Sequence, residues 1–269
     1  MTHGMVCAPQ PETVDAGLDV LRDGGNVMDA AIAAAFVQTV VDPQMCGIAG
    51  FGSMQVYDAE TGEHTYIDFH GRAPLSVQPD QWEHLIVREC DDGFGFVLEG
   101  QVNEIGYTSM TTPMTLKAFA EGLERFGTRP LAELIQPAIA YCEEGFTVRP
   151  KVHGFWLQPA QNGRIERIRV TNEYPASAKI YRKADGSLYN VGETLKNPDM
   201  GRTYRRIAEV GAEDFYTGEI AAAIDADMRA NGGHITLDDL AQCETETNEP
   251  LRGTYRGFDV VTNPPPGGG

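Results

Sequence analysis

The chain has 269 residues, of which 42% are hydrophobic and 22% charged, as in an ordinary soluble globular protein. Its formal net charge of −18 argues against nucleic-acid binding, since phosphate contacts need clustered Lys and Arg. The most apolar stretch, Met28–Val41, is too short to span a bilayer and contains Asp29 and Gln38, so the sequence predicts no membrane segment.

The first predicted elements are two helices near the N-terminus. Residues Pro11–Asp23 carry apolar side chains at helical spacing, and the glycine pair at 24–25 ends this helix. Asn26 is the predicted N-cap of a second helix, Val27–Val41, with Asp29 in the position of a capping box. The second helix is apolar on nearly every side, which predicts that it is buried.

A glycine-rich passage at 46–53 leads into a predicted hairpin, formed by Met54–Tyr57 and His64–Phe69. The glycine spacing fits neither GxGxxG nor GxxxxGK[ST], the two common phosphate-binding loops. Close passage of the backbone over a buried helix explains these glycines more simply.

The pattern becomes helical from residue 112 onward, and it ends in a strand or hairpin at Gly253–Thr262. A hairpin turn at Ala184–Ser187 is predicted between strands at 180–182 and 188–189. The predicted helices are Thr115–Phe126, Pro130–Glu143 with an interruption at Pro137, Asn197–Val210, Ala212–Ala230 and a short helix that begins at Thr236. Because there is no interior linker or repeat, the simplest prediction is one domain, residues 1–269.

No residue pattern indicates a metal or cofactor. The six histidines are scattered without ligand spacing, and Ser53 lies in no GxSxG elbow, so the sequence supports neither a metal site nor a serine hydrolase. The five cysteines are too widely spaced for a disulfide framework, which predicts free thiols and a reducing compartment. Residues 1–5 have no signal-peptide character, which predicts a cytoplasmic protein, or an exported one if the natural N-terminus lies upstream.

Five stretches, in the same order, resemble the large subunit of the γ-glutamyltranspeptidase (glutathione hydrolase) family and cover nearly the whole chain. They are 4–6 with 16–26 and 29–35, then 41–48, then 67–74, then 195–200 with 215–218 and 231–233, and finally 255–258 with the block Pro264-Pro265-Pro266-Gly267-Gly268-Gly269. In that family the proline block lies inside the large subunit, upstream of the catalytic threonine. The resemblance therefore implies the N-terminal portion of a large subunit.

The fold that the resemblance implies is α+β, the four-layer αββα sandwich of N-terminal-nucleophile hydrolases, helix-rich and incomplete in this chain. Such a precursor cuts itself and releases a small subunit that begins with threonine. That threonine attacks a γ-glutamyl amide with its own α-amino group as base, and the acyl group passes to water or to an amine. The resemblance thus implies a small-subunit partner and an amide substrate, and it implies no catalytic residue and no cofactor in this chain.

The predicted substrate-binding residues are His70 and Arg72, in the segment Asp68–Pro74. In the family motif Asp-Phe-Arg-Glu-Thr-Ala-Pro, the arginine grips the α-carboxylate of the glutamyl group through two parallel hydrogen bonds. Here His70 takes that place and Arg72 follows two residues later, where an extended segment points the same way. The alternative interpretation is structural: a hydrogen-bonded histidine beside a buried strand, and an arginine paired with a nearby carboxylate.

Two alternative functions stay open at this point. The exchange of His70 for the family arginine is compatible with an acylase for another dicarboxylic monoamide. A non-catalytic scaffold that binds a partner through an open sheet edge is the other alternative, although a long exposed edge favours aggregation. The sequence leaves the acyl group, the acceptor, hydrolysis or transfer, and the assembly state undecided.

Overall fold

The computed structural model describes residues 4–267, so residues 1–3 of the predicted leaderless N-terminus and Gly268–Gly269 of the proline block lie outside the described residues. The fold is α+β and rich in helix, as predicted. The helices are α1 (Pro11–Arg22), α2 (Val27–Val41), α3 (Thr115–Phe126), α4 (Leu131–Leu134), α5 (Gln136–Glu144), α6 (Pro150–Trp156), α7 (Ile168–Glu173), α8 (Pro175–Tyr181), α9 (Pro198–Val210), α10 (Asp214–Thr217), α11 (Glu219–Ala230) and α12 (Leu237–Ala241). The strands are β1 (Gly52–Tyr57), β2 (His64–Phe69), β3 (Ile86–Glu89), β4 (Phe96–Leu98), β5 (Phe146–Thr147), β6 (Thr194–Leu195), β7 (Glu246–Asn248), β8 (Leu251–Tyr255) and β9 (Phe258–Thr262).

Helix α2 lies at the centre of the main core, as its sequence predicts. Ile32, Phe36 and Val37 are at most 1% exposed, and α1, α3 and α5 surround them. The burial is not complete, however, because Val27 in the first turn is 59% exposed. The helix therefore buries most of its circumference and leaves one narrow stripe at the surface.

The predicted capping box of α2 is confirmed, and its carboxylate has a second function. The Asn26 side chain accepts from Asp29 N and the Asp29 side chain accepts from Asn26 N, both at 2.9 Å. Asp29 also accepts from the backbone and hydroxyl of Thr128 and from Arg129 N, although it is fully buried. Burial alone would raise the pKa of Asp29, but these hydrogen bonds hold the pKa below its usual value.

The central sheet has the strand order β1-β2-β7 and is antiparallel throughout. It confirms the predicted hairpin, which begins at Gly52 rather than Met54. Met54 and Phe69 lie on the face that packs against the main core, whereas Ser53 and Asp68 lie on the opposite, polar face. The helices therefore cover one side of this sheet, and the polar side carries the residues predicted to bind substrate.

Strand β7 is a third strand that the sequence did not predict, and two side chains of α3 hold it. Thr245, just before the strand, donates to Glu121, and Arg125 donates to Thr247 Oγ1 at 2.7 Å. Three polar residues carry no strand pattern of their own, so these long-range contacts fix the strand.

The predicted interruption at Pro137 is confirmed: the helix at Pro130–Glu143 is two helices, α4 and α5, because Pro137 starts a new helix within its first turn. Two other predicted elements need correction. The helix at Ala212–Ala230 is divided into α10 and α11 at Gly218, where a Cβ would collide with the Asp214 carboxylate. The strand at 180–182 is wrong: Pro175 starts α8, and only Arg182 pairs with Leu188 in a single bridge.

The last predicted element is a hairpin, β8–β9, and nearly all of its residues are exposed. None of the helices formed by residues 4–267 combines the length and apolarity that a bilayer crossing requires. Across the same residues, no group of three or more His, Cys, Asp or Glu side chains is arranged to hold a metal ion.

Candidate substrate-binding site

His70 follows the last residue of β2 and is oriented by Asp68. The Asp68 carboxylate accepts from the His70 backbone N at 2.9 Å and lies 2.7 Å from His70 Nδ1. The Asp68 side chain is 13% exposed and the His70 side chain 26%. The centroid of the Phe51 ring lies 6.0 Å from that of the imidazole. When Nδ1 donates to the carboxylate, a neutral imidazole presents Nε2 as an acceptor towards the surroundings.

Arg72 is fixed at its backbone by a two-way contact with Thr112. Arg72 N donates to Thr112 Oγ1, and Thr112 N donates to the Arg72 carbonyl, both at 2.9 Å. Gly71 permits this approach, since a Cβ there would collide with Thr111 Oγ1 and lie 2.9 Å from Thr111 Cβ. The segment that carries both predicted residues is therefore clamped to residues 111–112.

The guanidinium of Arg72 reaches across the sheet to β7. Its Nη2 donates to Glu246 Oε1 at 2.5 Å, and the side chains are 54% and 60% exposed. Within residues 4–267 this contact engages one of the five guanidinium N–H groups, so four have no hydrogen-bond partner among those residues. Arg72 thus has the carboxylate partner that the structural interpretation expects, and it keeps donors for a second anion.

The four side chains form one cluster of mixed charge on the polar face of the sheet. Asp68 and Glu246 are register partners on β2 and β7, so the side chains that they contact, His70 and Arg72, are brought to the same end of the sheet. A guanidinium can bind a carboxylate, and a carboxylate can bind an ammonium group. The cluster is therefore suited to small ligands that carry both charges. We name it the β2–β7 cluster.

A cleft of about 670 Å³ begins beside the β2–β7 cluster. It is lined by Phe51, whose ring centroid lies 6.0 Å from that of His70, and by Thr111, whose side chain a Cβ at Gly71 would meet. Its volume is that of a small-molecule pocket. The remaining walls are mainly apolar and include Tyr107, Met110, Tyr174, Phe215 and Met228.

Sequence reasoning missed this cleft and Glu246. The cleft walls come from segments spread from Ala49 to Ile235, which no local pattern connects. Glu246 lies in the unpredicted strand β7, so its proximity to Arg72 had no signal in the sequence.

The cysteines near the core are not activated nucleophiles. The described cysteines are all free. Burial raises the pKa of Cys243, which lies near Arg72, to about 11, even though Lys117 and Arg72 oppose this shift. Burial raises the pKa of Cys46 and of Cys142 to about 12. A thiol with such a pKa is protonated at neutral pH and reacts slowly.

Comparison with known proteins links the sequence of the chain to one family. The sequence model of a family described as gamma-glutamyltranspeptidase matches residues 13–269. The glutathione hydrolase proenzyme of Bacillus subtilis (strain 168) is 33% identical over 99% of this chain and 42% of its own length. The acylase ACY 1 proenzyme of Pseudomonas sp. (strain SE83) is 35% identical over 98% of this chain and 45% of its own length.

Solved structures give the same result. The crystal structure of Helicobacter pylori γ-glutamyltranspeptidase matches with a TM-score of 0.86 at 30% identity, covering 99% of this chain and 71% of that chain. The cephalosporin acylase from Bacillus halodurans matches with a TM-score of 0.78 at 32% identity, covering 95% of this chain and 45% of that chain. The chain spans less than half the length of the curated relatives it matches.

Proposed function

Because this chain belongs to the γ-glutamyltranspeptidase family, we propose that it is the N-terminal portion of the large subunit of an enzyme that hydrolyses or transfers γ-glutamyl groups. The family match over residues 13–269 is the observation that carries this proposal. The TM-score of 0.86 with the Helicobacter pylori enzyme supports it, since the likeness covers 99% of the chain.

In this proposal the chain supplies the acyl-binding side of the site, and a small subunit from the same precursor supplies the nucleophile. The threonine hydroxyl of that subunit attacks the amide carbonyl, and the threonine α-amino group takes the hydroxyl proton and then gives it to the leaving amine. Water or an acceptor amine then attacks the acyl-enzyme. The names of the matched relatives, which include several proenzymes, support such a processed precursor.

We assign binding of the acyl-group carboxylate to Arg72. Its backbone is held by Thr112, and four of its N–H groups have no partner among residues 4–267. His70 would border the same ligand through Nε2, because Asp68 occupies Nδ1. These contacts support a substrate position over the polar face of the sheet, at the mouth of the 670 Å³ cleft.

A second candidate is an acylase for another dicarboxylic monoamide. The observation that favours it is His70 in place of the family arginine, which puts the nearest guanidinium two residues later, about 7 Å along an extended chain. Similarity to the acylase ACY 1 proenzyme and to the Bacillus halodurans cephalosporin acylase also supports it.

One experiment separates the candidates. The gene that contains this chain is expressed as its complete precursor, and cleavage into two subunits is followed by intact-mass measurement. The product is then assayed on γ-glutamyl and on glutaryl p-nitroanilide, which differ only in the α-ammonium group. Cleavage with turnover of the γ-glutamyl compound supports the first candidate, and turnover of the glutaryl compound alone supports the second. An uncleaved precursor that turns over neither would overturn both.

A further inference from the structure

We propose that the 670 Å³ cleft binds the amine side of the substrate, and that Asp227 of α11 makes it select an apolar amine with a second, positive charge over an amine with a carboxylate. The inference rests on the proposed function and adds the chemical class of the leaving or acceptor amine. It concerns the part of the substrate that lies across the amide bond from the carboxylate assigned to Arg72.

The first support is the position and the lining of the cleft. It opens next to His70, since Phe51 belongs to its wall and the two ring centroids are 6.0 Å apart. Tyr107 and Tyr174 add two aromatic side chains to a wall that is mainly apolar. Such a wall favours a ligand with an apolar or aromatic body. A substrate whose acyl group lies at the β2–β7 cluster therefore has space for such a body beside it.

The second support is the charge of the lining. Among residues 4–267, no Lys, Arg or His lines the cleft, whereas the two acids Glu104 and Asp227 do. Glu104 already has a cation of its own, because Arg164 Nη1 donates to its Oε1 at 2.7 Å, and only 12% of the Glu104 side chain is exposed. The charge that is left for a ligand is therefore that of Asp227.

The Asp227 carboxylate is exposed and only partly engaged. It accepts from Asn231 Nδ2 at 3.0 Å and forms no ion pair with any of the described residues. Arg229, two residues further along α11, pairs with Asp225 instead, at 2.7 Å. Burial, together with the Asp227 carboxylate, raises the pKa of Tyr107, whose protonated hydroxyl lies beside that carboxylate. An ammonium group at this point meets a carboxylate with unused acceptor capacity and an aromatic ring.

The third support is that the loop along one wall of the cleft is preformed. Thr108 Oγ1 donates to the Val102 carbonyl at 2.6 Å. Ser109 Oγ donates to the Gly106 carbonyl at 2.8 Å. Gly106 has a φ of +90°, and a Cβ there would collide with the Tyr174 hydroxyl, so the loop packs directly against Tyr174. A wall that is already ordered loses little conformational entropy when a ligand binds.

The charge of this wall determines the chemistry of the amine. The amino group that forms the amide is uncharged in the substrate, so the positive charge must be a second one, as in a diamine. An amino acid or a peptide carries a carboxylate instead. Asp227 repels that carboxylate, and no basic residue of the described lining offsets the repulsion. The selected class is therefore an apolar diamine, and the rejected class is an amine that carries a carboxylate.

The test uses the processed protein obtained from the complete precursor, with three γ-glutamyl anilides that differ only in their para substituent. The substituents are aminomethyl, methyl and carboxymethyl, which are positive, neutral and negative at neutral pH. kcat/KM is measured for the wild type, for Asp227→Asn, which keeps an acceptor for Asn231, and for Asp15→Asn as matched control. Asp15 is also an exposed helical aspartate that forms no ion pair with the described residues, but it lies on α1 and outside the cleft.

We expect the wild type to have a kcat/KM for the aminomethyl compound about tenfold or more above that for the carboxymethyl compound, with the methyl compound between them. Asp227→Asn should reduce this ratio to about threefold or less and leave the methyl compound unchanged. Asp15→Asn should keep the wild-type ratio. An unchanged ratio in Asp227→Asn, an equal loss of all three activities, or a wild type without the expected preference overturns the inference.

A binding measurement separates this inference from the proposed function. Benzylammonium and phenylacetate reproduce the two charged amine bodies, and ligand-observed NMR titration gives their affinities for the same three proteins. If no anilide is turned over, the enzymatic proposal fails, and the ratio of these affinities still decides whether Asp227 selects the charge. If the anilides are turned over with no preference for the positive substituent, the enzymatic proposal stands and the cleft has no such role.

Discussion

Asp68 and Glu246 lie directly opposite each other on neighbouring strands, although one is near the start of the chain and the other near its end. Two carboxylates in such positions repel each other unless each has a hydrogen-bond donor of its own. His70 Nδ1 lies 2.7 Å from Asp68, and the Arg72 guanidinium forms an ion pair with Glu246 at 2.5 Å. The residues predicted to bind substrate therefore also partner a cross-strand pair of acids.

Substitution of Arg72 by alanine should weaken substrate binding far more than it weakens the fold. The Arg72–Glu246 pair is more than half exposed, so its contribution to the free energy of unfolding should be no more than about 1 kcal/mol. Loss of a two-point carboxylate contact should raise KM about tenfold or more. KM for γ-glutamyl p-nitroanilide and urea unfolding are the two measurements.

Arg202→Ala is the matched control for that substitution. Arg202 is also exposed and pairs with an aspartate, Asp199, but it lies on α9. If both variants changed KM equally, or if Arg72→Ala left KM unchanged, Arg72 would have no direct role in binding substrate.

Gly71→Ala should disturb the site through the backbone. The added Cβ would collide with Thr111 Oγ1 and lie 3.1 Å from the Thr112 carbonyl, so the contact between residues 70–72 and 111–112 must open. We expect a loss of about 1–3 kcal/mol in the free energy of unfolding, together with weaker substrate binding. Gly253→Ala is the control, because a Cβ there meets no atom within 4 Å. Equal stability of the two variants would show that the approach at Gly71 is not tight.

Helix α2 could be predicted from the sequence, whereas strand β7 could not. The cap of α2 depends on Asn26 and Asp29, three residues apart, so a local pattern was sufficient. Strand β7 depends on α3 side chains that are more than a hundred residues away, and nothing within its own sequence indicates a strand.

The candidate site divides in the same way. His70 and Arg72 could be named as candidates because they lie in a contiguous segment that resembles a family motif. Glu246 could not, because only the folded sheet brings it to Arg72.

Tyr181 is a residue whose predicted secondary structure was wrong. It was predicted in a strand, yet it ends α8, and its ring centroid lies 5.8 Å from that of Trp156. Helix initiation at Pro175 and this contact together outweigh its strand propensity.

Acid should destabilise the junction between α9 and α11 through Asp214. Hydrogen bonds from Arg206, with further ones from the backbone of Glu219 and Ile220, hold the pKa of Asp214 at about 2, against 3.8 without them. Because the folded pKa is the lower one, this stabilisation is present above about pH 4 and is lost as the pH falls towards 2.

Asp214→Asn should therefore cost about 2 kcal/mol at pH 7, where the wild-type carboxylate is charged. The difference in free energy of unfolding between variant and wild type should shrink between pH 4 and pH 2. Urea unfolding at a series of pH values measures it. A difference that does not change with pH would mean that the charge on Asp214 contributes no stability.

Thiol reactivity should follow burial. Cys7 is exposed, whereas Cys142 is fully buried and its pKa is raised to about 12 by burial and by Glu143. Iodoacetamide at pH 8 should therefore modify Cys7 in the native protein and Cys142 only after denaturant is added. Peptide mass mapping identifies the labelled sites, and Cys7→Ser should abolish the fast phase. Native labelling of Cys142 would contradict its enclosure between α5 and α9.

Asp29 also joins two distant segments of the chain into one unit that must open together. Its carboxylate accepts hydrogen bonds from Asn26, the N-cap of α2, and from residues 128–129. If either segment opened alone, a buried charge would lose part of its hydrogen bonding, which is costly. The amides of Asn26, Thr128 and Arg129 should therefore exchange with deuterium in a single cooperative step, so that the start of α2 and the loop after α3 form one foldon.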